Sequence, residues 1–175
     1  MNNTLKMLVA ATALLITPVL QAAEKLVSIG GDVTEIVYAL GAGNEMVARD
    51  STSLYPKAVL SLPDVGYMRQ LNTEGILSMH PSLVLSSELA EPSLVLTQLE
   101  QNGVKVIRVP GTPSADAVPH KIEVIAAALN RQAEGEKLIA TYRSQISAIL
   151  QGALPVKMLF VMSHGGMSSL AAGQN

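Results

Sequence analysis

Lys25-Leu-Val-Ser-Ile-Gly-Gly-Asp-Val-Thr-Glu-Ile-Val37 sets the architecture of this chain. Lys25 to Ile29 is a short apolar run that ends at Gly30-Gly31, the pattern of a strand entering a turn. Asp32 or Thr34 can cap a following helix, and Glu35 lies near its positive end. Ile36, Val37 and Leu40 share one face of that helix, which stops at Gly41-Ala-Gly43. A glycine pair after a strand raises the question of a phosphate loop. There is no Gly-x-Gly-x-x-Gly and no Gly-Lys-Ser/Thr, so the pair reads as a turn.

The same alternation runs on in both period and punctuation. Met46 to Ala48 reads as a second strand, and Asp50 to Ser61, with Pro56, as an irregular polar stretch. Asn72 or Thr73 caps a short helix carrying Glu74, Ile76, Leu77 and Met79, which His80-Pro81 ends. Ser82 to Ser86 contains Leu83-Val-Leu85 and reads as a buried strand. Pro92 or Ser93 starts a helix through Gln101, closed by Asn102-Gly103, and Val104 to Val109 is a further strand. After the turn Gly111-Thr-Pro-Ser114, Ser114 or Asp116 caps a helix reaching Leu129. Strands alternating with helices across short loops predict an α/β fold with a parallel sheet.

Ala133 to Gln151 is the longest helical stretch, with Leu138, Ile139, Tyr142, Ile146, Ile149 and Leu150 at helical spacing. Its length of roughly 28 Å at 1.5 Å per residue suits a rigid strut. Val156 to Met162 is a new apolar strand with only Ser163 to Asn175 behind it. One strand and a tail cannot bury a core, so the chain is expected to stop just after a second domain begins.

The first 23 residues read as a secretory signal. Lys6 gives a positive start, Met7 to Thr17 is the apolar stretch, and Pro18 breaks it before Gln21-Ala-Ala23, with cleavage expected after Ala23 and Ala22 as the alternative. No cysteine follows to carry a lipid, and with no Cys in the chain there is no disulfide partner and no thiolate metal site. Hydrophobic residues make up 49% and charged residues 15%, enough for a packed core. A net charge of −2 without a basic run argues against a nucleic-acid partner. The reading is of a soluble periplasmic protein.

Leu62-Pro-Asp-Val-Gly-Tyr-Met-Arg-Gln-Leu-Asn72 holds the candidate chemistry. Pro63, Asp64 and Gly66 make it a loop. Residues two apart on an extended segment point the same way, so Tyr67 and Arg69 can converge. A nearby cation favours the anionic form of a phenol. A phenolate oxygen is a hard ligand for ferric iron, and tyrosinate is one of the proximal ligands of haem. The plain alternative is an exposed Tyr and Arg in an ordinary turn.

With the signal, Lys25–Val37, Asp64-Val-Gly-Tyr-Met-Arg-Gln-Leu71, Asn72-Thr-Glu-Gly-Ile-Leu-Ser-Met-His-Pro-Ser-Leu-Val84 and Met162-Ser-His-Gly-Gly-Met167, the chain resembles the periplasmic hemin-binding proteins of bacterial haem-uptake ABC transporters. The resemblance covers essentially all of it. Gly-Tyr-Met-Arg and Ser-His-Gly-Gly-Met are fairly specific to the haem branch, whereas Asn-x-Glu…Pro-x-Leu-Val is shared with binders of cobalamin and siderophores. The resemblance implies two α/β lobes bridged by one long helix, with ligand between them. Residues 1–23 would be the signal, 24–130 the N-terminal lobe, 131–152 the interdomain helix, and 153–175 the start of an incomplete C-terminal lobe. Family members carry a full second lobe, so the second lobe here is expected to be truncated. By the same resemblance Tyr67 matches the axial ligand of haem iron and Arg69 its basic partner. His164 matches a second iron ligand in members that stack two haems. Glu74 matches a carboxylate that docks on the permease. The implied partners are haem, as transported ligand, and an inner-membrane ABC permease with its ATPase.

Met68 and Met167 could pack on the haem faces, although core filling is the plainer role for both. His80 reads as a helix-end residue and His120 as solvated. Tyr38, Tyr55 and Tyr142 read as packing or surface residues. Three readings compete with haem carriage. Cobalamin or a ferric siderophore on the same fold would not depend on Tyr67. A hydrolase would need a nucleophile elbow, and no Gly-x-Ser-x-Gly is present. A purely structural domain would bind no small molecule. The expected protein is a binder and not an enzyme.

Overall fold

The computed structural model describes residues 24–149, 160–163 and 169–172. Four parallel strands form its main sheet: β1 (Leu26–Ile29), β2 (Met46–Arg49), β3 (Leu83–Ser87) and β4 (Lys105–Val109), in the order β2-β1-β3-β4. The connections are helical: α1 (Gly31–Ala39), α2 (Thr73–Leu77), α3 (Ser93–Gln101) and α4 (Val118–Ala128), with α5 (Gln132–Ile149) after them. Alternate residues of the central strands face opposite sides. Leu26, Leu83 and Leu85 join one apolar cluster with residues of α1, α4 and α5, while Val27, Ile29 and Val84 join a second with residues of α2 and α3. Both faces of β1 and β3 are therefore covered, which is why these strands read as apolar runs and not as alternating ones.

The winding has a consequence for function. From β1 the chain passes through α1 to β2 at one edge, and from β3 through α3 to β4 at the other. The strand order reverses between β1 and β3, and ligands of such sheets bind outside the carboxyl ends of the strands at that point. Ile29 stands opposite Ser86 there. Gly30 turns the chain out of β1 at φ 110, and a Cβ on it would lie 3.1 Å from the Ser87 Cβ, so the turn needs glycine both for its dihedral and for space.

Several local expectations change. Neither Asp32 nor Thr34 caps α1; the N-cap is Gly30 and no side chain accepts from the first turn. Asp32 instead pairs with Lys121 of α4 at 2.6 Å, and Thr34 is buried. Asn72 does cap α2, accepting from the Gly75 N–H at 3.0 Å. Ser114 accepts from the Asp116 N–H at the head of a 3-10 turn, Ala115–Ala117, that leads into α4. The stretch read as irregular before the loop includes a 3-10 turn at Lys57–Ser61. Beyond α5, β5 (Phe160–Ser163) pairs antiparallel with β6 (Ser169–Ala172), where one strand alone was expected.

The long helix runs 18 residues, about 27 Å at 1.5 Å per residue. It buries only Gly135 and Ile139, near its start, and Leu138 packs beside them. Further on, the Tyr142 hydroxyl donates to the Ala115 carbonyl at 2.8 Å, and at the far end Ile149 is exposed. No helix among the described residues is long and apolar enough to cross a membrane.

Candidate functional site

Three loops meet on the carboxyl side of the sheet: Gly30–Gly31 after β1, residues 50–71 after β2, and 88–92 after β3. The middle one carries Tyr67 and Arg69, and it is fastened on both sides. On the β2 side, the Arg49 N–H donates to the Pro63 carbonyl at 3.0 Å and the Val65 N–H to the Arg49 carbonyl at 2.9 Å. This adds a one-residue parallel bridge between Arg49 and Asp64 to the edge of the sheet. The Ser51 N–H donates to the Gly66 carbonyl at 2.9 Å. The Asp64 carboxylate accepts from Arg49 Nη1 at 3.1 Å, Ser51 Oγ at 2.9 Å and the Gly66 N–H at 2.8 Å. On the β3 side, the Glu91 N–H donates to the Met68 carbonyl at 2.7 Å and the Leu71 N–H to the Glu91 carbonyl at 2.9 Å. Val65 and Leu71 are buried beneath the loop, and Met68 packs against the α2/α3 cluster.

Within that frame Tyr67 is 44% exposed. The local conformation is a turn and not an extended segment, closed by the Gln70 N–H on the Tyr67 carbonyl at 2.8 Å. Strand alternation is therefore not what relates Tyr67 to Arg69. The ion-pair partner of Arg69 is Glu91, with Nη1 3.9 Å from Oε1, both side chains largely in solvent. At that separation and exposure the pair is weak, so the guanidinium is free to turn to another anion. Leu54 and Tyr55 after β2 and Leu89 after β3 also expose large apolar surfaces on these loops. The side is thus a rigid rim with apolar bodies, one phenol and one displaceable cation.

Glu74 is exposed in the first turn of α2. His120 is exposed on α4, with Nδ1 3.4 Å from Glu123 Oε2. His80 follows α2 at φ 50, its N–H on the Leu77 carbonyl at 2.9 Å. Tyr38 packs against the core and Tyr55 is exposed. His164, Met167 and the signal segment 1–23 lie outside the described residues.

Sequence reasoning missed a buried hub beneath the rim. The Asp50 carboxylate is fully buried and accepts four hydrogen bonds. The donors are the Gly30 N–H (3.0 Å), the Thr52 N–H (3.0 Å), Thr52 Oγ1 (2.6 Å) and Ser53 Oγ (2.6 Å). Because Ser53 Oγ gives its proton to the carboxylate, it must accept from Thr34 Oγ1 at 2.6 Å. Thr34 in turn accepts from Ser28 Oγ at 2.7 Å. The only signal in the sequence was a polar run, Asp50-Ser-Thr-Ser53, directly after a strand.

A doubly wound α/β lobe that gathers fastened loops outside its strand ends has the design of a ligand-binding lobe. The chain belongs to the periplasmic binding protein family, whose model matches residues 26–168. Among solved structures it is similar to the periplasmic heme-binding protein RhuT from Roseiflexus sp. RS-1 in apo form. The two share 38% sequence identity at a TM-score of 0.81, over 87% of this chain and 60% of that one. The periplasmic heme-binding protein BhuT, solved with two hemes, is 34% identical at a TM-score of 0.79, over 86% of this chain and 61% of that one. The vitamin B12-binding protein of Vibrio cholerae serotype O1 (strain ATCC 39541 / Classical Ogawa 395 / O395) is 29% identical over 95% of this chain. The chain spans 62% of that relative's length. These relatives are binding proteins.

Proposed function

We propose that this chain is the first lobe, bridging helix and beginning of the second lobe of a periplasmic haem-binding protein that hands hemin to an inner-membrane ABC permease and its ATPase. The observation that carries the reading is Tyr67, a half-exposed phenol on a loop fastened to both sides of the sheet at the point where ligands bind. A metal already held by a macrocycle needs only one or two protein ligands, and one phenolate suits a ferric centre. Arg69, held loosely by Glu91, supplies positive charge to the phenolate and to the carboxylates on the porphyrin edge. Leu54 and Leu89 offer apolar surface to the macrocycle. The similarity to two heme-binding structures supports the same ligand.

In this reading residues 1–23 direct export, 24–130 form the first lobe, 131–152 span the lobes and 153–175 begin the second. His164 supplies a second iron ligand from that lobe, and Glu74 docks on the permease. The test is a hemin titration of the purified chain followed by absorption. The wild type is expected to give a ferric, tyrosinate-ligated spectrum. Tyr67→Phe, which keeps the ring and removes the oxygen, is expected to lose that signature and more than about tenfold in affinity. An unchanged spectrum in Tyr67→Phe would remove the assignment. The match to a B12-binding protein along 95% of the chain favours cobalamin as the second reading. It predicts calorimetric binding of cyanocobalamin that Tyr67→Phe leaves intact.

A further inference from the structure

We infer that Asp50, a residue with no surface of its own, is the positioning residue that holds the Tyr67 loop in its ligating geometry; this rests on the haem reading above. A fully buried carboxylate is expensive, and the cost is met here by four donors. The neighbouring Arg49 donates to the Asp50 main-chain carbonyl at 3.0 Å and to Asp64, and not to this carboxylate. An apolar residue would spare that cost but leave these four donors without their acceptor, so what the acid does here is gather them at one point.

What the four donors do share is location. One is the Gly30 N–H at the mouth of β1, and the other three belong to Thr52 and Ser53 in the segment just after β2. Asp50 therefore locks residues 50–53 onto the strand order's reversal point. The Tyr67 loop hangs from that same segment. The Ser51 N–H holds the Gly66 carbonyl at 2.9 Å and Ser51 Oγ holds Asp64 at 2.9 Å. Thr52 Oγ1, itself on Asp50, lies 3.8 Å from the Met68 sulfur. Residues on both sides of Tyr67 in sequence thus touch the segment that Asp50 fixes. Gly31 permits this close approach of the segment, since a Cβ placed on it would lie 2.9 Å from the Thr52 carbonyl oxygen. A ligand atom must be held to within about half an ångström to act, and the supporting contacts are what hold it.

The experiment uses the full chain with Asp50→Asn and Thr52→Val. Asp50→Asn keeps the shape but turns one acceptor atom into a donor facing donors. Thr52→Val keeps the shape and removes the hydroxyl that touches both Asp50 and Met68. With far-UV circular dichroism unchanged, hemin affinity is expected to fall about tenfold or more in Asp50→Asn. Its tyrosinate-to-iron charge-transfer band is expected to weaken or shift. Thr52→Val is expected to move both in the same direction by less. If Asp50→Asn does not fold, Thr52→Val decides. A hemin spectrum and affinity equal to wild type in the folded variant, even with a lowered melting temperature, would make Asp50 purely structural and overturn the inference. Failure of the haem reading itself shows separately, as wild type and Tyr67→Phe that do not differ.

Discussion

Tyr67 and Asp50 lie 17 positions apart and were unequally visible in the sequence, for a physical reason. Tyr67 sits among turn formers, so its exposure follows from local chemistry. The burial of Asp50 depends on the Gly30 N–H, 20 residues earlier, a contact that no local pattern encodes. The relation between Tyr67 and Arg69 was legible only as proximity; the turn closed by Gln70 replaces the extended geometry, and Glu91 enters from a loop that the sequence places far away. One exposed ion pair between α3 and β4 has a measurable pH signature. Glu100 of α3 accepts from Arg108 of β4 at 2.5 Å. That hydrogen bond holds the Glu100 carboxyl below its ordinary range and raises Arg108. A carboxyl lowered on folding adds stability above its unfolded value and loses it as pH falls through the folded one. Glu100→Gln is therefore expected to lower the urea midpoint slightly at pH 7, a difference that shrinks as pH falls through the lowered range of the wild-type carboxyl.

At the level of elements, apolar period and glycine punctuation located every strand of the main sheet; β1 and β3 are buried on both faces, so their apolar residues adjoin, as in Leu26-Val27 and Leu83-Val-Leu85, and do not alternate with polar ones. Caps were harder to read. Asn72 behaves as its side chain dictates, whereas Thr34 is drawn into the hub by Ser28 and Ser53 and leaves α1 without a side-chain cap. The α4–α5 contact shows what a helix period cannot reveal. Gly135 faces α4 so closely that a Cβ there would lie 2.7 Å from the Cβ of Ala126. In a free helix alanine is the better residue by about 1 kcal/mol. Here the added methyl must push α5 off Ile122 and Ala126, an overpacking that costs about 1–3 kcal/mol. Gly135→Ala is expected to lower the melting temperature despite its better helix propensity. A variant that melts higher than wild type would show that α5 does not depend on this close approach.

For the molecule as a whole, the sheet is shared by two apolar clusters and by the rim, so stability and ligation should be separable by where a substitution falls. Leu85 is fully buried in the α1/α4/α5 cluster, away from the loops that carry Tyr67. Truncating such a leucine costs about 2–5 kcal/mol through lost transfer energy and the cavity left behind. A ligand that binds only the folded state adds RT ln(1 + [L]/Kd), about 2.7 kcal/mol at a hundredfold excess over Kd. Leu85→Ala is thus expected to melt well below wild type and still to shift upward on hemin addition by nearly the wild-type amount. Tyr67→Phe, with its substitution on the rim, is expected to melt close to wild type without hemin and to lose most of the shift. Thermal melts of the three proteins with and without hemin make the comparison. The two costs fall on different halves of it only if the ligand sits outside the strand ends, on a frame the core holds rigid. A hemin shift abolished by Leu85→Ala and kept by Tyr67→Phe would instead place the ligand in the layer beneath the sheet.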